Sequence, residues 1–387
     1  MKKALSFLLA FLLVALSVSI LPLPSSAEKY SLNLNAKSAI LMDAATGAVL
    51  YEQNADAALP PASVTKVMTL LLVMEAVDAG RIALGDAVTV SEEAAKMGGS
   101  QVYLEPGECM SVEELLKCVV IASANDAAYA LAEHIAGSEE AFVRMMNERA
   151  RALGMENTKF ENTNGLDDTV SEHLTSARDI AIMSRELLSH EKILEYTTIW
   201  QDTIRDGAFT LSNTNRLVRF YPGATGLKTG STSKALFCIS ATAKRGDLHL
   251  IAVIMGSPTR DVRNAEAKKL LDYGFSNYAS YSDKDGTITE IDVRGGISDA
   301  ITLECEPFVA LLGKGEEKRV EKSYVLPDSL TAPVKRGDVV GAVEYRVGDR
   351  LVGKADIRAA EDVERISYIH LFLRLVRAAL GAGSFSE

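Results

Sequence analysis

The chain is poor in the residues that most often announce a chemistry. Its 387 residues include four cysteines and five histidines. Cys109, Cys118, Cys238 and Cys305 are scattered without a C-x-x-C pair, which leaves no thiolate metal clamp and no redox pair to read. A chain of this length does not need a disulfide, and Cys118 and Cys238 lie in apolar stretches, where buried free thiols are expected. His134, His173, His190, His249 and His370 show no ligand spacing, so the pattern offers neither a metal site nor a histidine-based triad, and no cofactor is expected. Positive charge is scarce too: 41 Lys and Arg stand against 52 Asp and Glu, a formal net charge of -11. With no basic cluster in the body of the chain, nucleic acid is excluded as a partner. Internal repeats and low-complexity segments are absent.

A long apolar run occurs only at the start. Met1-Lys2-Lys3 precedes an apolar stretch from Ala4 to Leu21, and Ser25-Ser26-Ala27 supplies small residues for cleavage. This reads as a secretory signal peptide over residues 1–27. An uncleaved anchor is the alternative, because the run approaches spanning length. Either way the protein works outside the cytoplasm, and cleavage would remove Lys2 and Lys3 and leave the mature chain more acidic.

Two strands, 39–43 and 48–51, are expected around a tight turn at Gly47. Pro60-Pro61 then opens a helix that stops at Gly80. Ser111 to Glu114 is a capping-box pattern, and helices are expected over 127–136, 138–153 and 175–188, the last with Asp179 and Arg185 on its wet side. Strands follow at 209–211, 226–231, 237–243 and 248–255, then a helix over 262–275. That order predicts an α+β domain over residues 28–278, an antiparallel sheet assembled from both ends of the domain with helices packed on it. Polar residues from Ser276 to Asp285 mark a boundary, after which short β-like runs predict a small β-sandwich over 279–362. In the tail, 363–387, a helix would align Ser367, His370, Arg374 and Arg377 opposite a broad apolar face, the pattern of a helix lying in a membrane interface. Docking on the protein itself or on a second copy is the alternative.

Ser63 and Lys66 lie three residues apart at the start of the first helix, so a hydroxyl and an amine share a face. A desolvated lysine can be neutral enough to take the serine proton. The bland alternative is a capping serine beside a surface lysine. Ser123-Ala124-Asn125, between two helices, and Lys228-Thr229-Gly230, in a strand, complete a set of three motifs. Together and in this order they are shared by penicillin-binding proteins and class A β-lactamases. With its signal peptide, small β-domain and amphipathic tail, the chain resembles the low-molecular-mass penicillin-binding proteins, serine-type D-alanyl-D-alanine carboxypeptidases, over nearly its whole length. Asn213-Thr214-Asn215, Gly226-Leu227 and Asn164-Gly165-Leu166 add to the resemblance.

The resemblance implies a Ser63 nucleophile with Lys66 as its base, Ser123 as a proton relay and Asn125 holding the substrate amide. It implies that Lys228, with Thr229 and Ser231, binds a free carboxylate, that Gly230 lets the substrate backbone lie along the strand, and that the amides of Ser63 and Ser231 form an oxyanion hole. The implied partners are peptidoglycan stem peptides ending in D-Ala-D-Ala, β-lactams as covalent inhibitors and a membrane surface, with the enzyme on the outer face of the cytoplasmic membrane. Departures occur at Ser231, where the family commonly has threonine, at Ala235-Leu236, where it has Ala-Gly, and at Asn164, where it often has histidine. A β-lactamase is the rival enzyme, although no Glu-x-x-Leu-Asn pattern lies between the second and third motifs. A non-catalytic sensor binding wall peptides or β-lactams is the rival from another class.

Overall fold

The computed structural model describes residues 32–168, 170–284 and 286–379, so the expected signal peptide and the end of the tail lie outside the described residues. Five antiparallel strands form the central sheet: β1 (Ser38–Asp43), β2 (Val49–Gln53), β3 (Ala224–Thr232), β4 (Leu236–Arg245) and β5 (Leu248–Ser257), in the order β2-β1-β5-β4-β3. Both ends of the domain contribute, as expected, and β3 stands at an edge. Side chains alternate between the two faces. Ile40, Met42, Ile251, Val253 and Met255 join a large helical core. On the other register, Leu41 and Leu250 crowd Gly274 of a long helix, where a β-carbon would sit 2.4 Å from Leu250 Cδ1. The sheet is thus covered on both faces.

The longer helices are α1 (Lys66–Asp78), α2 (Asn125–Ala136), α3 (Glu139–Ala152), α4 (Ala177–Ser189) and α5 (Arg260–Asn277). Helix α1 is apolar on nearly every side, with Val67, Met68, Leu70, Leu71, Val73 and Met74 at 1 % exposure or less. Such a helix belongs in a core, where each buried Leu or Val contributes about 2 kcal/mol. Around it the expected capping box forms in full at Ser111 and Glu114, and the structure adds side-chain caps at Ser138, Ser176 and Thr259 for α3, α4 and α5. One residue departs from expectation. Asp179 of α4 is buried, because its carboxylate accepts from Asn157 N and Thr158 Oγ1 and so ties down the strand-like segment before the helix.

After α5 the chain becomes all β. Six strands, in the order 320–325, 339–347, 350–359, 300–305, 287–294 and 330–331, form one sheet, and Tyr278–Asp283 pairs with Phe308–Gly313 in a ribbon. Phe308 stacks on Tyr345 of the larger sheet at 3.9 Å, with Tyr281 edge-on to Tyr345, which joins the two layers. The expected polar break at 276–285 therefore contains a strand, its alternation hidden by serines that stand on a half-buried ribbon. The expected break at 362/363 also falls inside packed structure: Val363 is buried and bridges Val334, and Arg365 bridges Gly296. A final helix, α6 (Tyr368–Ala379), follows. Among the described residues no helix is long and apolar enough to cross a membrane.

Candidate active site

Ser63 sits on a 3-10 turn, Ala62–Thr65, that leads into α1, and not in the α-helix itself. In a 3-10 turn residues i and i+3 eclipse, which brings Lys66 Nζ to 3.0 Å from Ser63 Oγ. Ser63 makes no side-chain cap and Lys66 is wholly buried, so the bland alternative of a capping serine beside a surface lysine fails. The other neighbours of Nζ are carbonyl oxygens: Asn125 Oδ1 at 2.5 Å and the main-chain oxygen of Asn164 at 3.0 Å. Burial first, and the charge of Lys228 second, hold the Lys66 amine well below its ordinary range, against the opposing charge of Asp126. A neutral amine has two hydrogens and one lone pair. The two carbonyls can only accept, so in the neutral form they would take the hydrogens and leave the lone pair for the Ser63 hydroxyl.

Three contacts shape this turn from behind. Ala62 has φ +50°, and a β-carbon on Gly165 would lie 1.8 Å from its oxygen. Thr65 Oγ1 lies 2.8 Å from Ala62 O and 2.7 Å from His173 Nε2, while His173 Nδ1 accepts from Glu161 N. The imidazole proton is therefore on Nε2 and donates to Thr65, whose own hydrogen goes to Ala62 O. Burial pushes this histidine down to about 4, so it is neutral at physiological pH. On the third side, a β-carbon at Gly230 would stand 2.8 Å from both Pro61 O and Ser63 N. The missing side chain of Gly230 thus makes room for the serine turn, where the resemblance implied room for substrate.

The second motif leaves a helix irregularly. The chain from Val112 winds into a π-helical turn, Cys118–Ala122, and emerges with Ser123 at φ 63°, ψ 29°. Ser123 Oγ is buried at the wall of the cleft and has no hydrogen-bond partner among the described residues. Asn125, implied to hold the substrate amide, is 2 % exposed and engaged within the protein: Oδ1 accepts from Lys66 and Nδ2 donates to Gly98 O at 2.6 Å. The buried carboxylate of Asp126 accepts from Val102 N and Leu104 N and fixes the neighbouring rim. At Asn164 the side chain closes its own turn on Leu166 N while the main chain meets Lys66, so a different side chain there leaves the lysine contact intact.

The third motif lies on edge strand β3. Lys228 is buried and donates to Thr229 O at 3.0 Å; Thr229 Oγ1 meets Thr214 Oγ1 at 2.8 Å. Burial, and then the charge of Arg263, push Lys228 down to about 7. At the hairpin beyond, Thr232 Oγ1 meets the Asp167 carboxylate and Lys234 the Asp167 main-chain oxygen, which stitches β3 to the 162–168 loop. Leu236, standing where the resemblance implies glycine, has φ +57°, a conformation that glycine adopts at lower cost.

Ser63, Ser123, Thr229, Gly230 and Ser231 all border one cleft of about 240 Å³, with Lys66, Asn125 and Lys228 buried behind its wall. Sequence reasoning missed four lining residues, Ser100, Arg216, Arg260 and Arg263. Arg263 is 3 % exposed, and among the described residues it has no carboxylate partner; it reaches only Asn264 Oδ1 and Cys238 O. Nothing in the sequence around Arg263 marks it as a cleft residue; the fold alone brings the first turn of α5 there.

Comparison with known proteins gives a consistent result. The D-alanyl-D-alanine carboxypeptidase family profile matches residues 25–259, and that of the penicillin-binding protein 5 C-terminal domain matches 277–365. The D-alanyl-D-alanine carboxypeptidase DacF of Bacillus subtilis is 42 % identical over 382 residues, covering 97 % of this chain and 98 % of that protein. Penicillin-binding protein 5 from Haemophilus influenzae superposes with a TM-score of 0.72 at 32 % identity, over 86 % of this chain and 98 % of that one. Penicillin-binding protein D2 from Listeria monocytogenes, solved in an ampicillin-bound form, gives a TM-score of 0.58 at 33 % identity over 63 % of this chain and 99 % of its own. With one profile spanning more than half the chain and a relative matched almost end to end, this protein belongs to the D-alanyl-D-alanine carboxypeptidase family.

Proposed function

We propose that this D-alanyl-D-alanine carboxypeptidase removes the terminal D-alanine from peptidoglycan pentapeptides through an acyl-enzyme on Ser63, and that β-lactams acylate the same serine. The observation that carries this reading is the buried Lys66 amine, 3.0 Å from Ser63 Oγ, with two carbonyl oxygens to occupy its hydrogens. As Ser63 Oγ attacks the carbonyl carbon between the two D-alanines, its proton passes to Lys66. The amides of Ser63 and Ser231 receive the developing oxyanion. When the C–N bond breaks, Ser123, whose hydroxyl has no competing partner among the described residues, relays the proton to the leaving amine. Water then splits the acyl-enzyme with the same residues reversed. Lys228, Arg263 and the Thr229 hydroxyl take the terminal carboxylate, Gly230 and Ser231 border the peptide, and Asn125 orients Lys66 while keeping one amide hydrogen for the substrate.

Labelled penicillin with intact-mass analysis tests this. Wild type should carry one adduct, Ser63→Ala none, and wild type should release D-alanine from a soluble pentapeptide. An undiminished adduct on Ser63→Ala, or rapid penicillin turnover without D-alanine release, overturns the reading.

Residues 1–27 are read as the export signal, 28–277 as the catalytic domain, 278–366 as the β-domain and 367–387 as a membrane-associating tail, with the enzyme held peripherally on the outer face of the cytoplasmic membrane. Support for the tail comes from the direction it faces. Arg374, in the polar stripe, pairs with Asp299 at 2.7 Å and donates to Ile297 O of the β-domain. Tyr368, Ile369, Phe372 and Leu375 are left exposed. A surface helix held to its own protein buries the opposite face. At about 18 Å, this helix suits the interface and is too short to span.

A further inference from the structure

The arginines of the cleft are costly where they stand. None of the residues lining the cleft is acidic, in a chain whose net charge is -11. Arg260 and Arg263 occupy the first turn of α5, the end of a helix where positive charge is disfavoured. They also oppose each other: the charge of Arg260 adds to burial in bringing Arg263 down to about 10. Arg216 approaches the same cleft from the segment after Asn215, in the N-cap position of the short Leu217–Phe220 turn. Arg216 and Arg260 are exposed, and among the described residues neither has an ion-pair partner. An arriving anion would supply the exposed Arg216 and Arg260 with the partner that the described residues do not.

We propose that Arg216 and Arg260 form an outer capture site that draws in the free carboxylate of a peptide or β-lactam before the buried Arg263 and Lys228 hold it. This rests on the carboxypeptidase reading for its natural ligand. The two layers divide the work by burial. Exposed cations act through a field that extends about a Debye length and collapses in salt; buried ones act by contact and are little screened. Capture therefore raises the rate of productive encounter without altering the chemical step.

The test compares wild type with the Arg216→Gln/Arg260→Gln double variant and the corresponding double lysine variant, at about 20 mM and about 0.5 M salt. D-Alanine release from a soluble pentapeptide gives kcat and KM; the second-order rate of acylation by benzylpenicillin, which carries one carboxylate, needs no peptide turnover. At low salt the glutamine variant should lose about tenfold in kcat/KM and in acylation rate, with kcat within about twofold. At high salt the difference should close, and the lysine variant should behave as wild type. A glutamine variant equal to wild type at low salt, or one whose deficit persists unchanged at high salt, overturns the capture site. Wild type that releases no D-alanine yet shows the expected salt and variant pattern with penicillin overturns the carboxypeptidase reading and leaves the capture site standing.

Discussion

Lys228 and Arg263 are two buried cations, one on β3 and one on α5, and the charge of the second lowers the pKa of the first. A lysine pushed down to about 7 carries its charge below that pH and loses it above. The form able to bind a carboxylate is therefore lost as pH rises, while Lys66 becomes an effective base as its own proton leaves. The profile of kcat/KM should be bell-shaped, its alkaline limb belonging to Lys228 in the free enzyme. Arg263→Gln removes the repulsion, so this limb should move upward in pH even as KM rises; a limb that stays or moves down would sever the link between the two residues. Ser63, Lys66, Ser123, Asn125 and Lys228 were legible because their side chains make the motifs. The Asn164 main-chain oxygen was not, since any residue offers a carbonyl. Arg263 was hidden too, because only the fold brings the first turn of α5 to the cleft.

At the scale of elements, the 3-10 turn that carries Ser63 exists because three segments distant in sequence press on it. Proline placement foretold an entrance to a helix here, but not that the first four residues would wind more tightly. The reason lies in Gly165, His173 and Gly230, each meaningless until the loop and the edge strand are in place. Gly165 offers a clean comparison with Gly107. Both have φ above +80°, so alanine costs about 1 kcal/mol of backbone strain at either. Only at Gly165 does the added carbon meet backbone, at 1.8 Å; at Gly107 there is nothing within 4 Å. Gly165→Ala should therefore slow penicillin acylation by at least about 100-fold, the size of effect expected when a nucleophile is misplaced by about 1 Å, while Gly107→Ala leaves it within about twofold. Equal effects on acylation would mean that the loop does not position the turn. Asp179 teaches the same lesson in reverse: a carboxylate on an amphipathic helix reads as solvent-facing until its partners, Asn157 and Thr158, fold beneath it.

For the whole molecule, the order of strands and helices gave the α+β class, and the shift to short β runs gave the second domain. The junctions expected at 278/279 and 362/363 lie one residue inside the Tyr278–Asp283 strand and a few residues short of the end of the β-domain, because Tyr278 and Val363 earn their places only through long-range pairing. This bears on how the tail is tested. Ending the chain after Ile366, which keeps Val363 and Arg365, should release the protein from membranes in sedimentation while activity on a soluble pentapeptide persists. A truncated protein that still sediments with membranes would overturn the anchor. The net charge of -11 then acquires a geometric meaning. If the tail fastens it as proposed, an acidic body tied by an apolar helix to an anionic bilayer would be pushed away from that surface over a Debye length of roughly 8 Å at physiological salt. Under the proposed anchoring, the enzyme would stand off the headgroups and work in the layer above them, at a height that salt can tune.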